Sequence, residues 1–258
     1  TLKVDPATQT VRDISARQEV MTPGKWPAAP QLDAYLQQVR ARSAAALARP
    51  VAKLAVPSVI REKHDDGESA LGDLVADSIL SAGRSFGAQI AFMNNGGMRQ
   101  DLESVPGPGA GQSVTLGHLL YVLPFGNTMV AMNLRGAQIR ELLEQQWLGG
   151  RDITRGLLQV SEGFSYSWDP RRPIGSKVLA DSVMLNGVPL ENDSTYRVMV
   201  NNFLAEGGDG FPMFAQGRNR AETGVRDIDA LSEYLRKREA AGKPAGRSEP
   251  LGRFKRLQ

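Results

Sequence analysis

Two hydrophobic periods alternate along this chain, and that alternation narrows the fold more than any other feature. Apolar residues recur every three to four positions at Leu32, Tyr35, Leu36 and Val39, then at Leu71, Leu74, Val75 and Ile79. The same spacing returns at Ile139, Leu142, Leu143 and Trp147, and at Ile228, Leu231, Tyr234 and Leu235. Such stripes give a helix one apolar face. The helix over Gln31–Arg49 stops at Pro50; the second follows Ser69, a residue type that caps helix N-termini, and ends near Gly83. Between the stripes lie apolar runs of strand length, Gln89–Met93, Thr128–Leu134, Gly163–Trp168 and Tyr196–Asn201. Val178–Leu185 and Val188–Leu190 flank Asn186-Gly187, the preferred pair for a two-residue hairpin turn. Helices mixed with hairpin-type strands predict an α+β (mixed α/β) domain. The 258 residues suffice for one large domain or two small ones.

The ends of the chain read differently from its middle. Leu2–Val4 and Val11–Val20 are strand candidates around a turn at Asp5-Pro6, and residues 21–30, with three prolines and one glycine, form a linker. A strand pair and a linker before a helix suggest the tail of one domain entering another. Residues 1–29 are therefore expected to be the end of a preceding domain plus linker. Residues 30–241 are the main domain, with 30–49 as a connecting helix, and 242–258 a Gly/Pro/Arg-rich tail that adheres to the surface or frays. Ala52–Ile60 reads as a strand broken by Pro57, Arg61–Gly67 as a charged loop, and Pro106–Gly111 as a flexible insert.

Composition removes several function classes. Cysteine is absent, which excludes disulfides, thiolate nucleophiles and Cys-based metal sites. Only His64 and His118 are present, each alone, whereas a dimetal hydrolase site needs several His and Asp ligands at close spacing. No catalytic or metal-ligating residue is thus assigned to this chain. Thirty-one Lys+Arg against 28 Asp+Glu leave a net charge of +3, too weak and too scattered for a nucleic-acid binder. No apolar run reaches the length of a membrane span. Thr1 opens a polar segment without signal-peptide character, and the missing Met start suggests a processed or recombinant fragment.

Three loops carry the chemistry. In Asn94-Asn95-Gly96-Gly97-Met98-Arg99, glycines let the backbone approach a ligand, and Arg99 offers a planar fork of donors to a phosphate, carboxylate or hydroxyl. Pro124-Phe125-Gly126-Asn127 sets an aromatic ring beside an amide on a tight turn. Asn202-Phe203-Leu204-Ala205-Glu206-Gly207-Gly208-Asp209-Gly210-Phe211 adds a second ring, a carboxylate and three glycines. Together these suit a nucleoside. Base–aromatic stacking is worth roughly 1–3 kcal/mol per base, a carboxylate such as Asp209 binds ribose hydroxyls, and Asn127 both donates and accepts at a base edge. Each residue also has an ordinary reading: Phe125 and Phe203 as core residues at loop ends, Arg99 and Asp209 as a surface pair, the glycines as turns.

Taken in order, these loops resemble the motifs of the 5'-nucleotidase C-terminal domain family. Asn94 to Leu102 resembles its N-x-G-G-I/M-R motif, Leu123 to Thr128 its P-F-G-N motif, and Asn202 to Phe211 its long N-F/Y-L-A-x-G-G-D-G motif. Glu68-Ser69-Ala70-Leu71-Gly72-Asp73 is similar to a fourth, weaker motif, and the resemblance covers about residues 30–240. The resemblance implies a layered α-β-β-α domain that binds the nucleoside part of a substrate. An N-terminal metallophosphoesterase domain with two divalent metal ions would perform the hydrolysis. It implies that Phe125 and Phe203 stack on the base from both faces and that Asp209 contacts ribose. Arg99, with Asn94 beside it, would contact ribose or phosphate, and Asn127 the base.

Two departures stand out. Family members usually carry an Arg just before the fourth motif, where Asp66 and Gly67 stand here; Arg61 is the candidate to replace it. The metal-binding motifs of the family are nowhere in this chain. The fragment alone is therefore expected to bind nucleosides weakly and hydrolyse nothing. Its partners would be nucleoside 5'-monophosphates or related nucleotides and its own N-terminal domain, with no nucleic acid and no membrane span, in a periplasmic or extracellular parent. The alternative is a non-catalytic nucleoside-binding or sensor module.

Overall fold

The structure is a computed structural model describing residues 1–22, 24–27, 29–107, 111–150, 157–246 and 251–258. The chain divides into two units, 1–44 and 45–258. In the first, β1 (Leu2–Val4) pairs antiparallel with β2 (Val11–Ile14). The hairpin turn is held by Asp5, whose buried carboxylate accepts the Ala7 amide at 2.9 Å and pairs with Arg12. The second strand is shorter than the Val11–Val20 expected from sequence. Helix α1 (Pro30–Leu47) has no buried residue; its stripe of Leu32, Tyr35, Leu36 and Val39 is exposed.

In the second unit the elements run β3 (Pro50–Leu54), β4 (Ser58–Val59), α2 (Ala70–Gly83), β5 (Ile90–Met93), β6 (Leu102–Glu103), β7 (Val105–Gly107), β8 (Gly111–Thr115) and α3 (Leu116–Val122). They continue with β9 (Thr128–Arg135), α4 (Gly136–Glu144), β10 (Gln159–Val160), β11 (Phe164–Trp168), β12 (Met184–Leu185), β13 (Val188–Pro189) and β14 (Thr195–Asn201). A one-turn helix (Asn202–Ala205), β15 (Arg218–Arg226), the C-terminal helix (Asp227–Ala240) and β16 (Phe254–Arg256) complete the chain.

The centre is a five-stranded sheet in the order β10-β5-β14-β9-β15. Its three inner strands are buried on both faces, and the period of two divides them between two cores. Ala91, Met93, Met129, Ala131 and Met199 point to one core, with Leu71, Val75 and Ile79 of α2 and Ile228, Leu231 and Leu235 of the C-terminal helix. Ile90, Phe92, Val130, Met132, Val198 and Val200 point to the other, with Ile139, Leu142 and Leu143 of α4. A four-stranded sheet, β13-β12-β11-β16, closes this second core through Phe164, Tyr166 and Trp168. Phe92 meets Phe164 edge-on at 5.6 Å between ring centroids. The mixed α/β architecture expected from the sequence is the one observed.

The Asn186-Gly187 turn has both residues at positive φ, 51° and 77°, as a type I′ hairpin requires. Of the Pro106–Gly111 segment, expected to be a flexible insert, residues 108–110 lie outside the described ones; on either side of them β7 and β8 are antiparallel, Val105 opposite Ser113. The largest difference is the tail. Expected to adhere or fray, it contributes β16, which runs parallel to β11 with Tyr166 opposite Phe254. Phe254 is buried, its ring 5.0 Å from that of Tyr166. Burial of this aromatic side chain and the pairing of Arg253 with Asp77 fix the segment.

Candidate functional site

Topology brings the three loops together. β14 is parallel to β5, so the loops after Met93 and after Asn201 leave the sheet at the same edge. β9 is antiparallel to β14, with Asn201 opposite Met129, so the Phe125–Asn127 turn that precedes β9 arrives at that edge too. Loops at strand ends of an α/β sheet are where such folds bind ligands.

A chain of side-chain amides organises the edge. Asn201 caps the one-turn helix, its Oδ1 accepting the Leu204 amide at 2.8 Å, while its Nδ2 donates to Asn94 Oδ1 at 2.9 Å. Asn94 Nδ2 in turn donates to Asp209 Oδ2 at 2.6 Å. Asn201 and Asn94 are buried, whereas Asp209 is exposed. Asp209 sits at φ 49°, a left-handed conformation costly for a residue with a Cβ, between Gly207 and Gly210, both also at positive φ. The Asn94 bond is what aims this carboxylate. Asn94, expected beside the ligand, is buried and bonded to this carboxylate, and the tightness shows at Gly96, whose hypothetical Cβ would lie 3.3 Å from Asp209 Oδ2.

Both predicted rings are exposed, Phe125 by 57% and Phe203 by 46%, far more than core residues at loop ends would be. Gly126 takes φ 63° with open space around it, which lets the turn present Phe125. Phe203 lies on Gly208: a Cβ there would come within 2.5 Å of the Phe203 carbonyl and 2.6 Å of its ring. The Arg99 guanidinium stands 5.9 Å from the Phe125 ring centroid, a cation–π contact, and its main-chain N–H donates to Val122 O at 2.9 Å, tying the first loop to α3. Arg61 reaches the same loop, its amide donating to Asp101 Oδ1 at 2.7 Å and its Nη1 to Arg99 O at 3.3 Å. A hollow of 710 Å³ lined by Arg61, Lys63 and Asp101 borders it.

Asn127 is half-buried, and its surroundings include an acid that sequence reading passed over. Its carbonyl accepts the Asp227 amide at 2.9 Å at the start of the C-terminal helix. The Asp227 carboxyl is buried; Oδ1 accepts the Ile228 amide at 2.7 Å and Oδ2 has no hydrogen-bond partner. Burial pushes its pKa up to about 6, opposed by the Ile228 amide and by the main-chain and side-chain amides of Asn127.

The fourth motif belongs elsewhere. Ser69 caps α2 by accepting the Gly72 amide at 3.0 Å, and its own amide donates to Gln159 Oε1 at 2.9 Å. Glu68, fully buried, accepts the main-chain amides of Arg253 at 3.0 Å and Phe254 at 3.3 Å. The Arg253 guanidinium forks onto Asp77 at 2.7 and 2.9 Å, with Nη1 also donating to Val160 O at 2.7 Å. Asp73 lies 3.4 Å from Arg253 Nε, and its Oδ1 is buried without a partner. Burial raises the Asp73 pKa to about 9 against the pull of Arg253, with Glu68 and Asp77 adding to the rise. The motif thus docks β16. The signal available in the sequence was a run of acids on the apolar side of a helix, which need a cation from somewhere.

Another groove, of 1080 Å³, is lined by Arg140, Glu144, Leu148 and Val178. Arg140 and Glu144 are already engaged. Arg140 donates to Asn192 Oδ1 at 2.9 Å and Leu190 O at 2.5 Å, and Glu144 accepts the Val178 amide at 2.6 Å. The exposed rings, cation and carboxylate of the three loops offer more to a ligand. Among the described residues, no three His, Cys, Asp or Glu side chains converge as a metal site would need. Among them, too, no helix is long and apolar enough to cross a membrane.

Known proteins resemble this chain over most of its length. The sequence profile of the family "5'-nucleotidase, C-terminal domain" matches residues 50–216. The chain is 35% identical over 181 residues to the trifunctional nucleotide phosphoesterase protein YfkN of Bacillus subtilis, covering 69% of this chain and 12% of that protein. It is 28% identical over 183 residues to snake venom 5'-nucleotidase of Crotalus adamanteus, covering 66% of this chain and 30% of that one. The crystal structure of a 5'-nucleotidase precursor from Thermus thermophilus superposes with a TM-score of 0.71 at 32% identity, over 100% of this chain and 49% of that one. The chain thus spans about half the length of that structure and less of those relatives. Matched through all three loops, this chain belongs to the 5'-nucleotidase C-terminal domain family.

Proposed function

We propose that this domain binds the nucleoside part of a nucleotide for a 5'-nucleotidase-type phosphohydrolase, with Phe125 and Phe203 stacking on the base and Asp209 binding ribose. Arg99, supported by Arg61, meets ribose or phosphate, and Asn127 reads the base edge. The observation that carries this reading is the convergence at one sheet edge of two exposed rings and a carboxylate aimed by a buried amide. Stacking at roughly 1–3 kcal/mol per base would supply most of a weak affinity. The domain positions substrate; hydrolysis, by metal-activated water, belongs to an N-terminal metallophosphoesterase domain with two divalent ions.

On this reading residues 1–29 are the end of that domain and its linker, 30–49 a connecting helix, and the nucleoside domain extends from residue 30 through β16. The wholly unburied α1, with its exposed Leu32, Tyr35, Leu36 and Val39, suits a helix made to contact another domain. The parent is periplasmic or extracellular, in line with relatives that include a cell wall protein of Listeria monocytogenes and snake venom enzymes.

Calorimetric titration of adenosine and of AMP into the chain tests the clamp. Saturable binding that Phe203→Ala weakens at least tenfold, with the fold intact by circular dichroism, is the expected result. Binding that survives both Phe125→Ala and Phe203→Ala, or none at millimolar ligand, would refute the stacking site on this domain.

A further inference from the structure

We infer that Arg220 is a positioning residue of the nucleoside site, gripping the one-turn helix from β15 so that the Phe203 ring stays placed to stack on a base. The inference rests on the reading that Phe203 is a stacking face.

Phe203 is carried by a helix of a single turn, Asn202–Ala205, too short to hold its shape by its own hydrogen bonds. At its start Asn201 Oδ1 accepts the Leu204 amide at 2.8 Å. At its end the Gly207 amide turns back to Leu204 O at 2.8 Å. The Ala205 carbonyl is one of those that a helix end leaves without an intrahelical partner, and Arg220 Nη1 donates to it at 3.0 Å. Arg220 Nη2 donates to the carboxylate of Glu206, the next residue. One guanidinium thus grips two consecutive residues just beyond Phe203.

The strand gives this side chain a fixed base. Ala221 packs against the first core, so Arg220 before it points to the other face of the sheet, where Leu204 and Ala205 are buried in the second core. The main chain on either side is tied: Arg197 Nη1 donates to Asn219 O at 2.5 Å, and Ala221 stands opposite Ala131 of β9. The Arg220 side chain is 28% exposed and that of Glu206 73%, so the bond to the Ala205 carbonyl is the stronger half of the grip. Glu222, at 4.0 Å, is at the limit of an ion pair and does not draw the guanidinium away.

Asp209 is aimed separately, through Asn94. Arg220 therefore acts on the ring and leaves the ribose carboxylate where it is. Without the grip the ring occupies its binding position for only part of the time, and the apparent Kd rises by the inverse of that fraction. Arg220 follows all three loops in the chain and lies beyond residues 50–216, the span matched by the family profile.

The test is a calorimetric titration of AMP into the whole chain, in wild type, Arg220→Met, Phe203→Ala and the double variant. Met keeps an apolar stem and loses every donor. Arg220→Met should weaken AMP binding about threefold to tenfold, the net worth of one hydrogen bond, with Tm nearly unchanged. Arg220→Lys, which keeps the charge without the fork, should fall between the two. In the Phe203→Ala background the Met substitution should cost less than about twofold, since no ring is left to place. Unchanged affinity in Arg220→Met, or an equal loss with and without Phe203, overturns the inference and leaves the clamp standing. If wild type does not bind AMP, the clamp and the inference fall together. Should Arg220→Met not fold, Arg220→Lys decides: affinity at least about twofold below wild type supports the inference, and wild-type affinity overturns it.

Discussion

Replacing Arg253, the residue just before β16, with Met removes the cation that meets the buried acids of α2, while keeping an apolar stem of similar length. The guanidinium makes two bonds to Asp77, at 2.7 and 2.9 Å, one to Val160 O at 2.7 Å, and stands 3.4 Å from Asp73. Its side chain is 19% exposed and that of Asp77 10%, so water replaces little of what is lost. Breaking a buried pair from one side typically costs about 3–5 kcal/mol, because the remaining charge stays buried. Against a total stability of about 5–15 kcal/mol this is a large share. For a unit of this size it corresponds to a fall in Tm of about 6–20 °C. Urea unfolding followed by tryptophan fluorescence is suitable, since Trp147 and Trp168 are buried in the core that β16 helps close. Arg226→Met is the control: its pair with Asp229 is exposed and should leave the unfolding curve where it was. A loss for Arg253→Met below about 1 kcal/mol would mean that the acid–arginine network does not hold the tail.

Three further perturbations follow from the geometry. Asp73 holds its proton in the folded state up to about pH 9 but ionises near 3.8 when unfolded. Its contribution is therefore fully present below pH 3.8 and is lost as pH rises toward 9, so Asp73→Asn should gain on wild type by up to about 1.4 kcal/mol per pH unit over that window; a pH-independent difference in melting temperature would contradict this. Gly72→Ala should gain about 1 kcal/mol in helix propensity. Its Cβ, however, would fall 2.2 Å from Gln159 Oε1, whose amide group bridges Ser69 and Gly67, so chemical denaturation should show net destabilisation of about 1–3 kcal/mol. Gly208→Ala drives a methyl into the Phe203 carbonyl and ring, and should weaken adenosine binding tenfold or more while shifting Tm little, because the loop is at the surface; unchanged affinity would argue against Phe203 as a stacking face.

The parts of this fold that were legible in the sequence are those fixed by short-range physics. The helical stripes on α2, α4 and the C-terminal helix, the Ser69 cap and the positive-φ pair at Asn186-Gly187 all follow from local periodicity and turn chemistry. The three loops were legible as glycine-rich breaks after apolar runs, and the parallel pairing of β14 with β5 then explains why they meet. β15 was missed because Arg218–Arg226 has no apolar alternation; as an edge strand it pairs on one side only and stays largely solvated. The buried amide chain through Asn94 is visible only once Asn201 and Asp209 are known to flank it. Asp227 looked like any acid in the first turn of a helix, since nothing in its neighbours announces burial. The tail read as a segment that adheres to the surface or frays because its composition is Gly/Pro/Arg-rich, while the acids that meet Arg253 lie far back in the chain.

That last separation has a consequence for synthesis. Asp77 and Arg253 are 176 residues apart, and at about 5–20 residues per second a ribosome takes roughly 10–35 s to make the second after the first. Throughout that interval α2 carries buried-type carboxylates with no cation to meet them, and β11 presents an open edge. The nascent domain must therefore wait, with its second core incomplete, until the chain beyond residue 253 has cleared the exit tunnel. It is in those seconds, rather than in the finished protein, that a chaperone or a protease would find it.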